Sequence, residues 1–454
     1  MKDRNHGLSA ISRRNLLKAG ASAAGIAALG SAPSFAPEAL AQNGFDWKRF
    51  KGEHLEVSLT LGPRGELLQK NRKEFEDLTG MTVGDEQVPE QQHRQKVAIE
   101  FTSGNTSFDV VTMAYHVQKQ LYGRGKWLVD VRDYIKDPKL TNPEFDFADF
   151  AKGAMDYATQ RDGRLDTLPL NLDYFVIYWN KELFAAKGVT YPKSFPEIIE
   201  AAATLNDPKA GTSGWIMRGL KNANLPPYLT FLLGYGVDSI DPDLTIHMDG
   251  PEAIEAAKIY QKLEREFAPP GVTGFNWNEC QSNFLLGKAA MWLDGIGFAL
   301  PLEDPNKSKV VGKVGYGVIP PGPKAQRSPL FGDGIGISAS SKKQEAGWLY
   351  CQWATSKTMA QRQVEGAYGA PGRASAYQAA MSSPNLKAPK EWLECMIETI
   401  KIARAGLPDI VAVTEFRDTY GVALTNMITG ADPATELKKA TEAFKPVLIK
   451  TEKA

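Results

Sequence analysis

The stretch that most limits the fold of this chain is 168–181, which opens Leu-Pro-Leu-Asn-Leu-Asp and continues as a run of aromatic and β-branched residues. Such a run is typical of a strand buried on both faces. Asn180 is the predicted N-cap of a short helix that follows, and Gly188 is its predicted stop. Asn171 and Asp173 are polar residues at the entry of the strand. We expect the strand to connect two lobes with its polar entry facing a cleft, although an ordinary core strand would show the same pattern.

The sequence before this strand alternates strands with helices. Strands are predicted at 55–61, 81–88 and 108–113, and helices at 67–80 and 91–102. This order predicts a parallel sheet with helices on both faces. Ligands of such sheets bind beyond the carboxyl ends of the strands, here near 62–65 and 114–116. A chain of 454 residues is too long for one compact core, which favours two lobes.

The later sequence continues in the same manner. Ser194 and Glu197 form a predicted capping box at the start of a helix. Further strands are predicted at 214–219, 314–320 and 331–337. A further helix is predicted at 251–267, and the stretch 344–365 is predicted to be largely helical.

The N-terminal leader has the order of an export signal. Arg13 and Arg14 precede a modest apolar run at 19–32, and a small-x-small site ends at Ala41. Paired arginines before a weakly hydrophobic core indicate a twin-arginine signal peptide, 1–41, cleaved near Ala41. We therefore expect export of the folded protein to the periplasm.

Charge and motif content exclude several classes of function. Residues 42–454 carry 48 basic and 51 acidic side chains, so they lack the basic footprint of a nucleic-acid-binding protein. The three cysteines and five histidines show no metal-ligand spacing, and the cysteines are expected to be small buried residues. No GxSxG elbow, P-loop or haem motif is present, so we predict no metal, no cofactor and no catalysis.

Short motifs spread over nearly the whole mature chain carry a family resemblance. They are Phe-Glu-Asp-Leu-Thr-Gly at 75–80, Phe-Asp-Val-Val at 108–111, the strand at 168–181, Tyr-Pro-Lys-Ser-Phe-Pro-Glu at 191–197, Gly-Lys-Ala-Ala-Met at 287–291, and the segments 317–323, 369–373 and 430–433. In this order and spacing, the chain resembles the extracellular solute-binding proteins of ABC importers, in the sugar-binding group related to maltose-binding protein.

The resemblance implies an α/β fold of the periplasmic-binding-protein type, in which two α/β lobes are joined by a multi-segment hinge and close on a ligand. It suggests that lobe one is 42–170 plus 319–366 and that lobe two is 171–318 plus 367–454. It also implies a monomer that delivers a mono- or disaccharide or a sugar alcohol to the membrane permease of an ABC importer. The cleft segments depart from the maltose-type pattern, for example at 294–298, so the identity of the sugar does not carry over.

Recognition of a sugar or polyol needs aromatic rings for the C–H faces and charged or amide groups for the hydroxyls. The segments expected to meet the cleft contain both kinds: Arg64, Tyr115, His116, Asn171, Asp173, Tyr174, Arg218, Trp277, Trp292, Asp294, Asp333 and Arg373. A carboxylate in such a place can equally cap a loop or form an ion pair, and Trp292 can equally pack in the core.

Two alternatives remain open at this stage. An acidic sugar or another carboxylate could be held by Arg64, Arg218 and Arg373. A glycoside-acting enzyme could pair Asp173 with Asp294, which would need a separation of about 5–10 Å and one raised pKa.

Overall fold

The computed structural model describes residues 44–453, so the predicted signal peptide and its cleavage site lie outside the described residues. The strands are β1 (His54–Thr60), β2 (Thr82–Val88), β3 (Val110–Ala114), β4 (Leu168–Asn180), β5 (Met291–Gly295), β6 (Val314–Gly317), β7 (Ser328–Ile337) and β8 (Ala403–Ala405). The α-helices are α1 (Pro63–Thr79), α2 (Glu90–Ser103), α3 (Tyr115–Gly125), α4 (Arg132–Lys136), α5 (Lys152–Ala158), α6 (Lys181–Lys187), α7 (Phe195–Leu205), α8 (Leu225–Gly234), α9 (Pro251–Lys262), α10 (Trp277–Leu285), α11 (Gln344–Ala354), α12 (Lys357–Glu365), α13 (Ser375–Met381), α14 (Lys390–Ile402), α15 (Val413–Ile428) and α16 (Pro433–Lys453).

The strands form one eight-stranded sheet in the order β2-β1-β3-β7-β4-β5, with β6 paired to β4 and β8 paired to β7. The alternating pattern predicted a parallel sheet, but only part of the observed sheet is parallel. β1 pairs in parallel with β2 and β3, but β7 runs antiparallel to both β3 and β4. The sheet is mixed because β7 enters from more than 200 residues farther along the chain, a distance at which local alternation of strands and helices carries no information.

Strand β4 links two parts of the sheet. Its residues from Leu168 to Tyr174 pair with β7, and those from Phe175 to Asn180 pair with β5 and β6. The strand predicted to be the connector therefore has different partners along its two halves. Asp173 lies at the change of partners, next to the end of the β7 pairing.

The second half of β4 is buried on both faces. Phe175 and Ile177 pack into one apolar cluster with helices α7, α8, α9 and α15, whereas Val176 and Tyr178 pack into another with α10, α13 and α14. Successive side chains of a strand point to opposite faces, so a strand between two cores must be apolar at nearly every position. This explains the uninterrupted run in the sequence.

Local capping follows the sequence closely. The Asn180 side chain accepts hydrogen bonds from the backbone N–H groups of Glu182 and Leu183, at 3.0 and 3.2 Å. Gly188 ends α6 in the left-handed conformation at φ 65°. Ser194 accepts from the backbone of Glu197 at 3.4 Å. The Glu197 carboxylate accepts from the backbone of Lys193 instead of Ser194, so the box is shifted by one residue.

Several predicted elements differ from those observed. The segment 214–219 contributes only one isolated bridge, Ile216 to Trp292, because it meets β5 too briefly to form a ladder. The helix predicted at 251–267 changes after Lys262 into a π-helical turn, Leu263–Phe267. The stretch 344–365 is largely helical as predicted, and it is divided into two helices because Ser356 caps a new helix by accepting from the backbone of Met359.

Within residues 44–453, no helix is long and apolar enough to cross a membrane, and no group of three or more potential metal-binding side chains comes together. The three cysteines, Cys280, Cys351 and Cys395, are free and buried.

Candidate functional site

A partly open cavity lies where the carboxyl ends of β1, β2 and β3 face the region after β4. One side is formed by Arg64, Glu90 and His116, which follow those three strands in turn. The other side is formed by Arg218, Trp277, Phe298 and Arg417. Strands β4 and β7 form the floor between them. The remaining lining residues are Thr60, Leu61, Gly62, Pro63, Asp173, Phe175, Pro226, Phe331, Gly332 and Asp333.

Arg218 is held from behind by Asp294. Its Nε donates to both carboxylate oxygens at 3.1 and 2.9 Å, and its Nη2 donates to Oδ1. The Asp294 carboxylate also accepts from Trp292 Nε1 at 3.2 Å and from the Gly295 backbone at 2.8 Å. Arg218 also lies over the rings of Phe175 and Phe298, at 5.7 and 5.9 Å. Asp294 is fully buried, so its role is to orient Arg218 toward the cavity.

Asp173 has a different environment from Asp294. Its Oδ1 is buried and has no hydrogen-bond partner among residues 44–453. Burial and the nearby charge of Asp294 raise the pKa of Asp173 to about 7, against the opposing effect of Arg218 and Arg64. A Cβ on Gly295 would lie 2.2 Å from Asp173 Oδ2, so the carboxylate fits only because residue 295 has no side chain. Asp173 is thus a cavity-lining carboxylate with unused hydrogen-bonding capacity.

Asp333 and His116 line the cavity beside β7. Arg64 Nη2 forms an ion pair with Asp333 at 2.8 Å, while burial raises the pKa of Asp333. Arg94 Nη2 lies 3.3 Å from His116 Nε2. Because a guanidinium only donates, His116 Nε2 accepts and Nδ1 carries the hydrogen, which faces the Gly332 carbonyl at 3.4 Å. Burial and the neighbouring Arg94 hold the pKa of His116 well below its usual value, so the ring is neutral.

Trp277 is the outermost ring of an aromatic stack. It lies parallel to Phe298 with centroids 4.9 Å apart, Phe298 stacks on Trp292 at 5.8 Å, and Trp292 stacks on Tyr178 at 4.8 Å. The inner rings are anchored in the core, which fixes the plane of the outer two. A ring fixed in this manner can pack on the C–H face of a sugar or polyol at little entropic cost.

Glu90 and Arg417 also line the cavity, and neither was predicted from the sequence. Glu90 pairs with Arg94. Burial alone would raise the pKa of Glu90, but Arg94, Arg218 and Arg417 together lower it below its usual value. Arg417 donates from Nε and Nη2 to the Asn222 carbonyl at 3.1 and 2.9 Å. Its Nη1 is buried and without a hydrogen-bond partner in the described part of the chain.

Half of the predicted site residues line this cavity: Arg64, His116, Asp173, Arg218, Trp277 and Asp333. The structure places the others elsewhere. Tyr115 packs over Gly334 with its hydroxyl 3.0 Å from Thr167, and Tyr174 lies in the core behind β4. Asn171 accepts from Gln363 at 2.7 Å. Trp292 and Asp294 lie behind the lining residues, as described above.

Arg373 was predicted to contact the ligand, but it does not line the cavity. It is buried and donates to the backbone carbonyls of Asp146 and Phe145 at 2.8 Å each. Its guanidinium also lies over the rings of Phe145 and Phe150, at 4.6 and 4.2 Å. Its hydrogen-bonding capacity is therefore used within the protein, and it is a structural residue.

Some of the cavity residues that were not predicted could have been identified from the alternation of side chains along a strand. Phe175 lies two residues after Asp173, and Phe331 two before Asp333, so each pair shares a face. The same rule puts Tyr174 on the opposite face. Glu90 follows β2 as His116 follows β3, and the strand-end rule applies to it equally. Arg417 lies inside α15, and no local signal connects it with the cavity.

The chain also matches a known protein family. Residues 61–361 match the family described as bacterial extracellular solute-binding protein. The chain belongs to this family. The predicted fold class of two α/β lobes in the periplasmic-binding-protein type is thereby confirmed, and the solved structures similar to this chain have the same fold.

Individual relatives are similar over most of the chain. An erythritol/L-threitol-binding protein of Mycolicibacterium smegmatis is 28% identical, covering 94% of this chain and 95% of the relative. A mannitol-binding protein of Pseudomonas aeruginosa is 26% identical over 58% of this chain and 60% of its own. An ABC transporter solute-binding protein of Agrobacterium radiobacter, solved in complex with ribitol, has a TM-score of 0.80 at 26% identity, covering 87% of this chain and 99% of that one.

Proposed function

We propose that this solute-binding protein captures a sugar alcohol or a small sugar in the cavity and delivers it to an ABC importer. The observation that carries the proposal is the arrangement of Asp173, Asp333, Arg64 and Arg218 around fixed aromatic rings in one cavity. Carboxylates and guanidinium groups match the hydroxyls, and the rings match the C–H surface. The polyol names of the relatives support the same ligand class.

We infer that the ligand contacts are made by Arg64, His116, Asp173, Arg218, Trp277 and Asp333. Asp294 and Trp292 lie behind these residues. Asp294 orients Arg218, and Trp292 supports the rings of Phe298 and Trp277. The lobe boundaries expected from the sequence, 42–170 plus 319–366 and 171–318 plus 367–454, are retained in the proposal. The protein would act as a monomer, with the permease of the importer as its partner and without cofactor or catalysis.

A second ligand class is favoured by one observation. Arg417 Nη1 and Arg64 Nε are buried and lack hydrogen-bond partners among residues 44–453, so the cavity has donors to offer to an acidic sugar or another carboxylate. The ionised Glu90 opposes that class, because it would repel a second carboxylate. The neutral polyol is therefore the first candidate.

A thermal-shift and calorimetry screen tests the ligand class. The panel contains erythritol, L-threitol, ribitol, D-mannitol, glucose and maltose, together with the aldonic and uronic acids of matching length. A ligand at 100 times its dissociation constant should add about 2.7 kcal/mol to the free energy of unfolding. Stabilisation by acids alone would replace the neutral ligand with the acidic one, and conversion of any sugar to product would argue for an enzyme.

The export route is part of the proposal and has its own test. Replacing Arg13 and Arg14 together by Lys should leave an uncleaved precursor inside the cell, because the twin-arginine pair is the recognition element of that pathway. The matched control is Lys2 and Arg4 replaced together by Gln, which leaves the pair intact. Normal export of the first variant would contradict the twin-arginine route.

A further inference from the structure

Glu90 presents a negative charge to the cavity from the start of α2. Its carboxylate forms an ion pair with Arg94 on the next turn of the helix, and Arg94 also contacts His116. Among the described residues, Glu90 is paired with Arg94 on its own helix and not with Arg417 across the cavity. The carboxylate is therefore held by Arg94 and lines the cavity.

Arg417 presents a positive charge from the opposite side. It is buried within α15, and the Asn222 carbonyl holds its Nε and Nη2. The guanidinium therefore has a set orientation, and the one nitrogen that remains, Nη1, is buried without a partner in the described chain. A buried donor left without a partner destabilises the protein, and a ligand acceptor placed there would remove that cost.

We propose that Glu90 and Arg417 together bind one hydroxyl of the ligand, which donates to the Glu90 carboxylate and accepts from Arg417 Nη1. This inference rests on the proposed function and specifies what distinguishes its ligand. A hydroxyl is both donor and acceptor, so it satisfies both groups at once. An ionised carboxylate only accepts; it would satisfy Arg417 and be repelled by Glu90. The pair therefore selects a neutral polyol against the acid of the same carbon length.

The same hydroxyl would connect the two sides of the cavity. Glu90 follows β2, in the segment assigned to lobe one, and Arg417 belongs to the segment assigned to lobe two. Both residues are charged at neutral pH, since the pKa of Glu90 is lowered by the surrounding arginines and burial lowers the pKa of Arg417 only to about 9. A ligand bound by both favours the closed arrangement, which is the only one in which both contacts form.

Calorimetry on the full-length mature protein tests the pair. The probes are erythritol, ribitol and D-mannitol, each compared with the aldonate of the same carbon length. We expect Arg417→Lys to weaken polyol binding about 10- to 100-fold, because the lysine cannot keep the Asn222 contacts and still reach the hydroxyl. We expect Glu90→Gln to weaken polyol binding and to shift the ratio of polyol to aldonate affinity about tenfold or more toward the acid.

A merely structural effect would leave the ratio of polyol to aldonate affinity unchanged. Arg373→Lys is the control, because Arg373 is as buried as Arg417 but lies outside the cavity. That variant should melt at a lower temperature with affinities within threefold of wild type. If Arg417→Lys does not fold, the isosteric Glu90→Gln decides alone.

An unchanged ratio in Glu90→Gln, in a wild type that binds polyols, overturns the pair and leaves the proposed function standing. A wild type that binds none of the polyols overturns the proposed function, and this inference with it.

Discussion

Asp173 and Asp294 are close enough to influence each other, yet they do different things. Asp294 is saturated by Arg218, Trp292 and the Gly295 backbone, whereas Asp173 Oδ1 has no partner in residues 44–453. Arg218 therefore neutralises the deeper carboxylate and leaves the shallower one to face the cavity. Such a carboxylate suits a site that binds hydroxyls, because the ligand supplies the hydrogen-bond donors that the protein does not.

The first prediction concerns the pH dependence of stability. The pKa of Asp173 is raised to about 7 in the fold, so the native state binds a proton that the unfolded chain releases near pH 4. Its contribution to stability is present below about pH 4 and is lost as pH rises through 7; it is worth at most about 4 kcal/mol. In urea unfolding from pH 4 to 8, the stability of the wild type relative to Asp173→Asn should decline as pH rises, which isolates Asp173 from the opposing effect of buried His116. Exposed Asp133→Asn should keep the wild-type slope.

The second prediction separates orientation from contact. Asp294→Asn leaves a buried guanidinium without its counter-charge and should lower the free energy of unfolding by about 3–5 kcal/mol. Polyol affinity should fall as well, because Arg218 loses its orientation. The double variant Asp294→Leu with Arg218→Met should recover stability without affinity. Recovery of affinity in that double variant would show that neither residue serves the ligand.

The site depends on strand β4 and on the end of strand β5 at Gly295. β4 carries Asp173 and Phe175 on the face toward the cavity, and β5 ends at Gly295 directly beneath the Asp173 carboxylate. The backbone of β5 thus approaches the carboxylate more closely than any side chain would allow.

The third prediction follows from that close approach. In Gly295→Ala the new Cβ would lie 2.2 Å from Asp173 Oδ2, so the carboxylate must move. Polyol affinity should fall at least tenfold, measured by calorimetry, with circular dichroism unchanged. Gly153→Ala in α5 is the matched control, since a Cβ there meets nothing within 4 Å and should leave affinity unaltered. Equal affinities in both variants would remove Gly295 from the site.

At the scale of the whole molecule, the site takes residues from distant parts of the chain. Arg64, Asp173 and Arg417 line the same cavity, although they are far apart in the sequence. Ligand contacts that need both sides favour closure, and without them an open form is free to be populated.

The fourth prediction concerns the radius of gyration of the protein. Small-angle scattering should show a smaller radius of gyration when a polyol that gives a thermal shift is added at saturation. A polyol of the same length that gives no thermal shift is the control. A tightly bound ligand that left the radius unchanged would contradict the closing of two lobes.

The elements whose signals are local were predicted well. The β4 run, the Asn180 cap, the Gly188 stop and the strand ends near Arg64 and His116 all depend on residues within a few positions of one another. The segment 214–219 has the composition of a strand, but a strand also needs a partner along its length, and β5 supplies that partner for only one bridge there.

By itself the sequence determined the α/β class, the connecting strand and the types of side chain available to a ligand, because hydrophobic periodicity and capping are properties of neighbouring residues. The tertiary structure decided which of those side chains reach the cavity. It set Asp294 behind Arg218, placed Arg373 under two phenylalanine rings, and brought Arg417 opposite Glu90. Each outcome depends on contacts between residues far apart in the chain, and the energy of burying a charge is settled only when its partner is in place.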